Sequence, residues 1–120
     1  RGRVEDGQVE LGTPALPGAT MRFFELDKQL AGIDRVIHEP ARLMIAALLA
    51  AVEEAHFQYL HQATGLTKGN LSVHLSRLEE AGHVAIEKTF RGKYPLTICR
   101  LTEQGKTALG SYREMIKVAL

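Results

Sequence analysis

The stretch of sequence that decides the fold is ATGLTKGNLSVHLSRLEEAGHV, residues 63–84. Within it, Gly65 is the residue type that ends a helix in the left-handed conformation, and Leu66 can fill the turn that follows. Thr67 is a typical N-cap for a second helix, which we predict over residues 68–81, just before another glycine. The stretch therefore predicts two helices joined by a short turn.

A two-stranded ribbon with a basic turn follows this helix pair. Residues 84–89 alternate in character with the period of a half-buried strand. Residues 91–93, RGK, supply the turn, and Pro95 precedes a return strand over residues 96–101, where a missing N–H is tolerated. Helices followed by such a ribbon predict an α+β, mainly helical class, a winged helix-turn-helix with the wing at residues 84–101.

The helix upstream of this unit opens at Pro40, because proline in the first turn loses no hydrogen bond and makes Glu39 the boundary. The alanine-rich stretch that follows predicts a helix central to the core. A short strand within residues 54–57 and a helix over residues 58–64 lead from it to the turn. We expect the buried face of the first helix to comprise Leu43, Met44, Ala47, Leu48, Ala50, Ala51 and Val52. The inward residues before the turn are expected to be Phe57, Leu60 and Ala63.

Two further apolar stripes flank this central part at helical spacing, one in residues 22–33 and one in residues 103–120. We interpret both as dimerisation helices, since the central core does not require them. For the first stripe, the alternative is packing on its own domain. The stripes consist of Phe23, Leu26, Leu30 and Ile33, and of Leu109, Tyr112, Met115, Ile116 and Leu120.

Length and composition favour one domain without covalent cross-links. Residues 1–20 contain four glycines and two prolines without a helical or strand period, which predicts an irregular arm ahead of a domain at residues 21–120. The longest apolar segment is too short to span a membrane, and no basic start followed by an apolar run marks a secretory signal. A single cysteine cannot form an internal disulfide, so we expect a cytoplasmic protein.

The charge is distributed unevenly along the chain, although its net value is only +1. Residues 1–39 carry five basic and seven acidic side chains, a net charge of −2. Residues 66–101 carry six basic and three acidic side chains, a net charge of +3. The segment that comprises the second helix of the pair and the ribbon therefore carries the positive excess, where contacts to phosphate would need it.

The predicted helix at residues 68–81 has one leucine side and one polar side. At 100° per residue, Leu71, Leu75 and Leu78 share the buried side. On the other side, asparagine can pair with adenine, arginine with guanine, and valine methyls can contact the thymine methyl. An ordinary solvated helix face is the alternative, but the turn and the ribbon favour docking in a DNA groove. The exposed side carries Gly69, Asn70, Val73, Ser76, Arg77 and Glu80, with His74 on the flank.

Both ends of this interface offer contacts to the DNA backbone. Backbone N–H groups at the helix N-terminus favour a phosphate, with Lys68 and Thr67 beside it. At the tip of the ribbon, Arg91 and Lys93 can contact phosphate or enter the minor groove, while Tyr94 braces the sugar-phosphate chain. The alternative is that these charges keep the hairpin soluble. The predicted DNA contacts are Thr67, Lys68, Gly69, Asn70, Ser72, Val73, His74, Ser76, Arg77, Arg91, Gly92, Lys93 and Tyr94.

Three strings in order, GLTKGNLSVHLSRLEEAGHV, RGKYPLT and LTEQGKTAL, strongly resemble the small bacterial and archaeal winged-helix transcriptional regulators related to the MarR and ArsR families. The resemblance covers about residues 33–109. It implies a homodimer that binds pseudo-palindromic operator DNA, with residues 68–81 as the recognition helix and the RGK tip as the wing. The cysteine pair of ArsR-type metal sensors has no counterpart, because Cys99 is the only cysteine. Any small-molecule effector stays unidentified.

Other chemistry has little support in the sequence. The five histidines form no His-x-x-x-His pair, and neither HExxH nor CxxC occurs, so we predict no metal and no cofactor. Neither a glycine-rich phosphate loop nor a GxSxG motif occurs, and we predict that the protein is not an enzyme. Apolar neighbours of Cys99 indicate a half-buried strand and an inert thiol, with redox sensing as the alternative.

The sequence therefore predicts a sequence-specific, double-stranded-DNA-binding transcriptional regulator, a repressor that acts as a homodimer. The alternative is a winged helix that joins proteins within a larger assembly, its apolar stripes holding the partners. An RNA- or nucleoid-binding module is a weaker possibility, because the net charge is modest and no aromatic stacking platform lies on the exposed strands.

Overall fold

A computed structural model describes residues 3–5, 8–10 and 32–119 of the chain. The first unit, Arg1–Gly32, contains two short antiparallel strands, β1 (Arg3–Glu5) and β2 (Gln8–Glu10), with Val4 opposite Val9. The prediction of an irregular arm is therefore wrong for these six residues. Strands of three residues are too short to show a sequence period, and a cross-strand valine pair is a local contact that composition does not reveal.

The second unit, Ile33–Val118, has the predicted α+β, mainly helical architecture. Its helices are α1 (Pro40–Ala50), α2 (Phe57–Thr64), α3 (Lys68–Glu80) and α4 (Glu103–Ala119). Its strands are β3 (Ala55–His56), β4 (Val84–Arg91) and β5 (Tyr94–Leu101), which form an antiparallel sheet in the order β3-β5-β4. Among the described residues, no helix is long and apolar enough to cross a membrane.

Local capping sets the helix boundaries close to those predicted. The Glu39 carboxylate accepts a hydrogen bond from the Arg42 N–H at 2.8 Å and so caps α1. Gly65 ends α2 with a φ of +73°, a conformation that side-chain-bearing residues rarely adopt. The Thr67 hydroxyl accepts from the Asn70 N–H at 3.1 Å and begins α3. These contacts explain why this part of the fold follows directly from the sequence.

The core lies between α1, α3, α4 and the end of the sheet that is farthest from the β4–β5 turn. All three predicted leucines of α3 are buried, with exposed fractions of 2% or less. They pack with residues from the other elements in a single cluster. The cluster comprises Ile37, Ile45, Ala46, Leu49, Ala55, Leu60, Leu71, Leu75, Leu78, Val84, Cys99, Leu101 and Leu109.

The predicted buried face of α1 is wrong in part. Ile45, Ala46 and Leu49 are the buried residues of this helix, whereas Leu43 and Leu48 only border the core. The other five residues expected on the buried face are exposed, and Ala63 of α2 is exposed as well. In a stretch where apolar residues occur all round the helix, the period does not distinguish the inner face, and tertiary packing decides it. The exposed members are Met44, Ala47, Ala50, Ala51 and Val52.

The two predicted dimerisation stripes have different outcomes. Residues 23–31 lie outside the described part of the chain, and Ile33, the last residue of the first stripe, is buried but not helical. In the second stripe Leu109 belongs to the core, and the Tyr112 hydroxyl lies 2.9 Å from Nδ1 of His38. The interpretation that this stripe is free for a partner is therefore wrong for its first half. Met115 and Ile116 are half-buried.

Candidate nucleic-acid interface

The polar side of α3 is free along the whole helix, as the sequence predicts. Of the predicted contacts on α3, all except His74 are exposed: Lys68, Gly69, Asn70, Ser72, Val73, Ser76 and Arg77. Val73 exposes 55% of its surface although it is apolar. A valine, an asparagine and an arginine on one exposed helix face provide groups that can discriminate base edges. Thr67 is also exposed, but its hydroxyl is engaged as the N-cap.

His74 lies apart from this face, on the side of α3 that is turned toward α1. Its Nδ1 is 3.2 Å from Nη1 of Arg42 and 3.9 Å from a carboxylate oxygen of Glu39. Arg42 is itself fixed, because its Nε donates to the Val36 carbonyl at 2.7 Å. His74 therefore connects α3 with the start of α1, a positioning contact that its place in the sequence does not reveal.

The tip of the ribbon combines positive charge with exposed aromatic surface. Gly92 and Lys93 form the connection between β4 and β5, with Arg91 paired opposite Tyr94. Gly92 has a φ of +62°, which favours glycine and keeps the turn tight. Arg91, Gly92, Lys93 and Tyr94 are all exposed, as the sequence predicts. The structure thus brings the four predicted wing residues together at one end of the sheet.

Ion pairing separates the basic residues into two groups. Arg100 lies 3.2 Å from the carboxylates of both Glu54 and Glu87, so it does not add to the free positive charge of the wing. Within the described part of the chain, no carboxylate lies within 4.0 Å of Arg77, Arg91 or Lys93. Their charge is therefore available to an anionic partner.

A cleft of about 630 Å³ lies between one side of α3 and the facing strands β4 and β5. Its apolar lining residues are Leu75 of α3, Ile86 of β4 and Phe57 of α2. Hydroxyl and charged groups line the rest. The polar lining residues are Ser72, Ser76, Glu79, Lys88 and Thr97.

Three exposed or half-exposed residues beside this interface are missing from the sequence-based set. Lys88 and Thr97 face each other across β4 and β5, and Phe90 pairs with Pro95 one step nearer the tip. Phe90 exposes 68% of its surface. In β4, Lys88 and Phe90 lie on the same face as the core residue Val84, as the alternation of a strand requires. The strand period predicted for residues 84–89 does not show that the core ends before these positions.

Cys99 has the environment of an inert thiol. Its side chain is completely buried in the core. Burial raises the pKa of the Cys99 thiol to about 11, and the negative charge of Glu79 contributes to the shift. The prediction of a buried cysteine is therefore confirmed. In the described part of the chain, no three histidine, cysteine or acidic side chains lie close enough to hold a metal ion.

Comparison with known proteins supports the same kind of interface. Residues 41–120 match the family model of the winged helix DNA-binding domain. An uncharacterized protein of Methanocaldococcus jannaschii is 36% identical over 78 residues, which are 65% of this chain and 85% of that protein.

Solved structures share the fold. A transcriptional regulator homologue from Pyrococcus horikoshii OT3 is 26% identical, with a TM-score of 0.68, and the match covers 81% of this chain and 91% of that one. A protein from Enterococcus faecalis V583 assigned to the MarR family of transcriptional regulators is 17% identical, with a TM-score of 0.61, and the match covers 86% and 84% of the two chains. At this lower identity the likeness concerns the fold alone.

Proposed function

This chain belongs to the family of winged helix DNA-binding domains, and we propose that it is a sequence-specific transcriptional regulator that binds double-stranded DNA. One observation carries the proposal: the exposed face of α3 presents Asn70, Val73 and Arg77 beside a wing whose tip carries Arg91 and Lys93. Among the residues that the structure describes, neither of these two cations has a carboxylate within 4.0 Å. A helix with base-reading groups beside a basic ribbon suits the major groove and the neighbouring backbone. The Pyrococcus regulator homologue supports the assignment to transcription.

The proposed division of labour follows from the chemistry of these side chains. Arg77 and Asn70 would contribute base discrimination, because their planar groups can form two hydrogen bonds to one base. Arg91, Lys93 and Lys68 would contribute affinity for any duplex through phosphate contacts and counterion release. This binding role, without a catalytic step, is the function that we assign to the chain.

We further propose a cytoplasmic homodimer that represses transcription from a pseudo-palindromic operator. Met115 and Ile116 on the second half of α4 support a dimer contact, since they retain apolar surface after the domain has packed. In a two-fold arrangement the two α3 helices would enter successive major grooves about 34 Å apart. Occupation of a site near a promoter would then exclude the transcription machinery.

A selection from a pool of random duplexes tests the proposed function. We expect repeated rounds of capture by the full chain to enrich a sequence with two related half-sites about one helical turn apart. The enriched duplex should bind at least about a thousandfold more tightly than a scrambled duplex of equal length. Failure to bind any duplex at low salt, or equal binding to all, would contradict a sequence-specific regulator.

A further inference from the structure

We propose that the cleft between α3 and the wing binds the sugar-phosphate backbone of one DNA strand. Its contacts to the backbone are Ser72, Ser76, Lys88 and Thr97, and the carboxylate of Glu79 weakens binding. This inference rests on the proposed function, and it adds Lys88 and Thr97 of the wing strands to the predicted DNA contacts. The backbone would occupy the cleft where it passes from the groove read by α3 to the groove reached by the wing.

The walls of the cleft carry donors suited to phosphate oxygens. Ser72 and Ser76 lie one turn apart on the flank of α3, and Thr97 pairs with Lys88 across β4 and β5. Cross-strand partners have Cβ atoms about 5 Å apart, so the Thr97 hydroxyl and the Lys88 ammonium can serve the same phosphate. Hydroxyl and ammonium groups are common contacts to DNA phosphates.

Lys88 is available for this contact. Its side chain is exposed, and across the described ranges no carboxylate lies within 4.0 Å of its ammonium group. Arg100, on the other face of the same ribbon, is held by Glu54 and Glu87. Lys88 therefore lies on the face of the wing that is turned toward α3, where its ammonium group can contact an anion in the cleft.

The position of the cleft favours a DNA strand over a small molecule. It is open to solvent and lies between the two elements that we assign to the duplex, α3 and the wing. A duplex that contacts both Arg77 and Lys93 must carry its backbone across the space between them. The two apolar lining residues that keep exposed surface, Phe57 and Ile86, can pack against the uncharged edge of deoxyribose.

Glu79 has the opposite effect in this arrangement. Glu79 is exposed and lines the cleft. Its negative charge also contributes, after burial, to the raised pKa of the nearby Cys99 thiol. A carboxylate beside a phosphate is repelled, so removal of its charge should strengthen binding. A solvated helix residue remote from DNA would not weaken binding in this way. Glu79→Gln is therefore a more specific test of the cleft than a variant that only loses a contact.

The experiment measures the affinity of the full chain for a random-sequence duplex, by fluorescence anisotropy between about 50 and 200 mM salt. We expect Lys88→Gln to weaken binding roughly tenfold and to lower the salt slope by about one. Thr97→Val should weaken binding about threefold without changing the slope, because it removes a neutral donor. Glu79→Gln should strengthen binding about threefold.

Charge-matched controls are Lys106→Gln and Glu103→Gln, which lie together on α4 outside the cleft. Both should bind as the parent does. If Lys88→Gln and Glu79→Gln bind like these controls while Lys93→Ala weakens binding, the cleft does not hold the DNA backbone, and the proposed function stands. If the parent itself binds no duplex, the proposed function is wrong. A third outcome would also overturn the proposal. If a small carboxylate displaces DNA from the parent but not from Lys88→Gln, and Glu79→Gln does not strengthen DNA binding, the cleft is an effector site.

Discussion

The Nε2 atom of His83 lies 2.9 Å from an Oδ2 oxygen of Asp34, which joins the turn after α3 to the segment before α1. The other carboxylate oxygen of Asp34 accepts from the N–H groups of Val36 and Ile37 at 2.9 and 3.1 Å. One carboxylate therefore joins the segment before α1 to the turn that follows α3. His83 is buried, so its ring depends on this contact.

The Asp34 carboxylate should make stability sensitive to acid. Burial alone would raise its pKa, but hydrogen bonds from Ile37, His83 and Val36 outweigh burial and hold the pKa below 3.8. A pKa depressed in the folded state contributes stability that is present above 3.8 and is lost as pH falls through the folded value. We expect the free energy of unfolding, measured by urea denaturation, to fall in this acidic window.

Asp34→Asn should lower the free energy of unfolding by about 1–3 kcal/mol at neutral pH and remove this part of the acid dependence. Glu53→Gln, at an exposed carboxylate, serves as the control and should change neither quantity. A parent and an Asp34→Asn variant with parallel acid profiles would show that the carboxylate does not act in this way.

Cys99 should resist alkylation in the folded protein. Its thiol is buried and has a pKa of about 11, so very little thiolate forms near neutral pH and reagents cannot reach it. We expect iodoacetamide to label Cys99 only in denaturant, as followed by mass spectrometry. Rapid labelling under native conditions, accompanied by loss of DNA binding, would instead indicate a thiol switch.

Phe90 should contribute to DNA binding by apolar contact and not by charge. It is 68% exposed on the cleft-facing side of the wing, so Phe90→Ala should leave the fold intact. We expect a loss of about 1–2 kcal/mol in binding free energy for every duplex, with an unchanged salt slope, because no counterion is released at this side chain. Phe90→Leu should keep most of the affinity. A changed slope, or full affinity in Phe90→Ala, would refute this role.

The dimer contact is expected on one face of α4. Ile116 is half-buried on the apolar stripe, whereas Val118 is 64% exposed and lies outside that stripe. Ile116→Asp should shift a micromolar sample to monomer in sedimentation velocity, since a buried unpaired charge is costly in an apolar contact. Val118→Asp should stay dimeric. A parent that sediments as a monomer at this concentration would contradict the proposed assembly.

Local chemistry allowed much of the fold to be predicted from the sequence. The Thr67 cap, the left-handed Gly65 and the leucine spacing of α3 depend on residues a few positions apart, and the structure confirms each of them. The same holds for the RGK tip, because a short hairpin turn is exposed wherever the hairpin lies. These local signals supply the exposed recognition helix and the wing tip.

Features that depend on how elements pack were not predictable in this way. The inner face of α1 is set by its neighbours, because apolar residues surround that helix. His74 lies on the flank of α3, and only the position of Arg42 shows that it faces α1. Lys88 and Thr97 line the cleft because β4 and β5 extend beyond the helical core. Strand alternation predicts the face on which a residue lies, but it does not predict where along the strand the core ends.

The most direct test of the central claim compares Arg77→Ala and Lys93→Ala on the selected operator and on a scrambled duplex across a salt titration. We expect Arg77→Ala to weaken operator binding by about 1–3 kcal/mol and to reduce discrimination between the two duplexes. We expect Lys93→Ala to weaken binding to both duplexes alike and to lower the salt slope by about one. Parental affinity of both variants for the operator at physiological salt would contradict the assignment of α3 and the wing as the DNA interface.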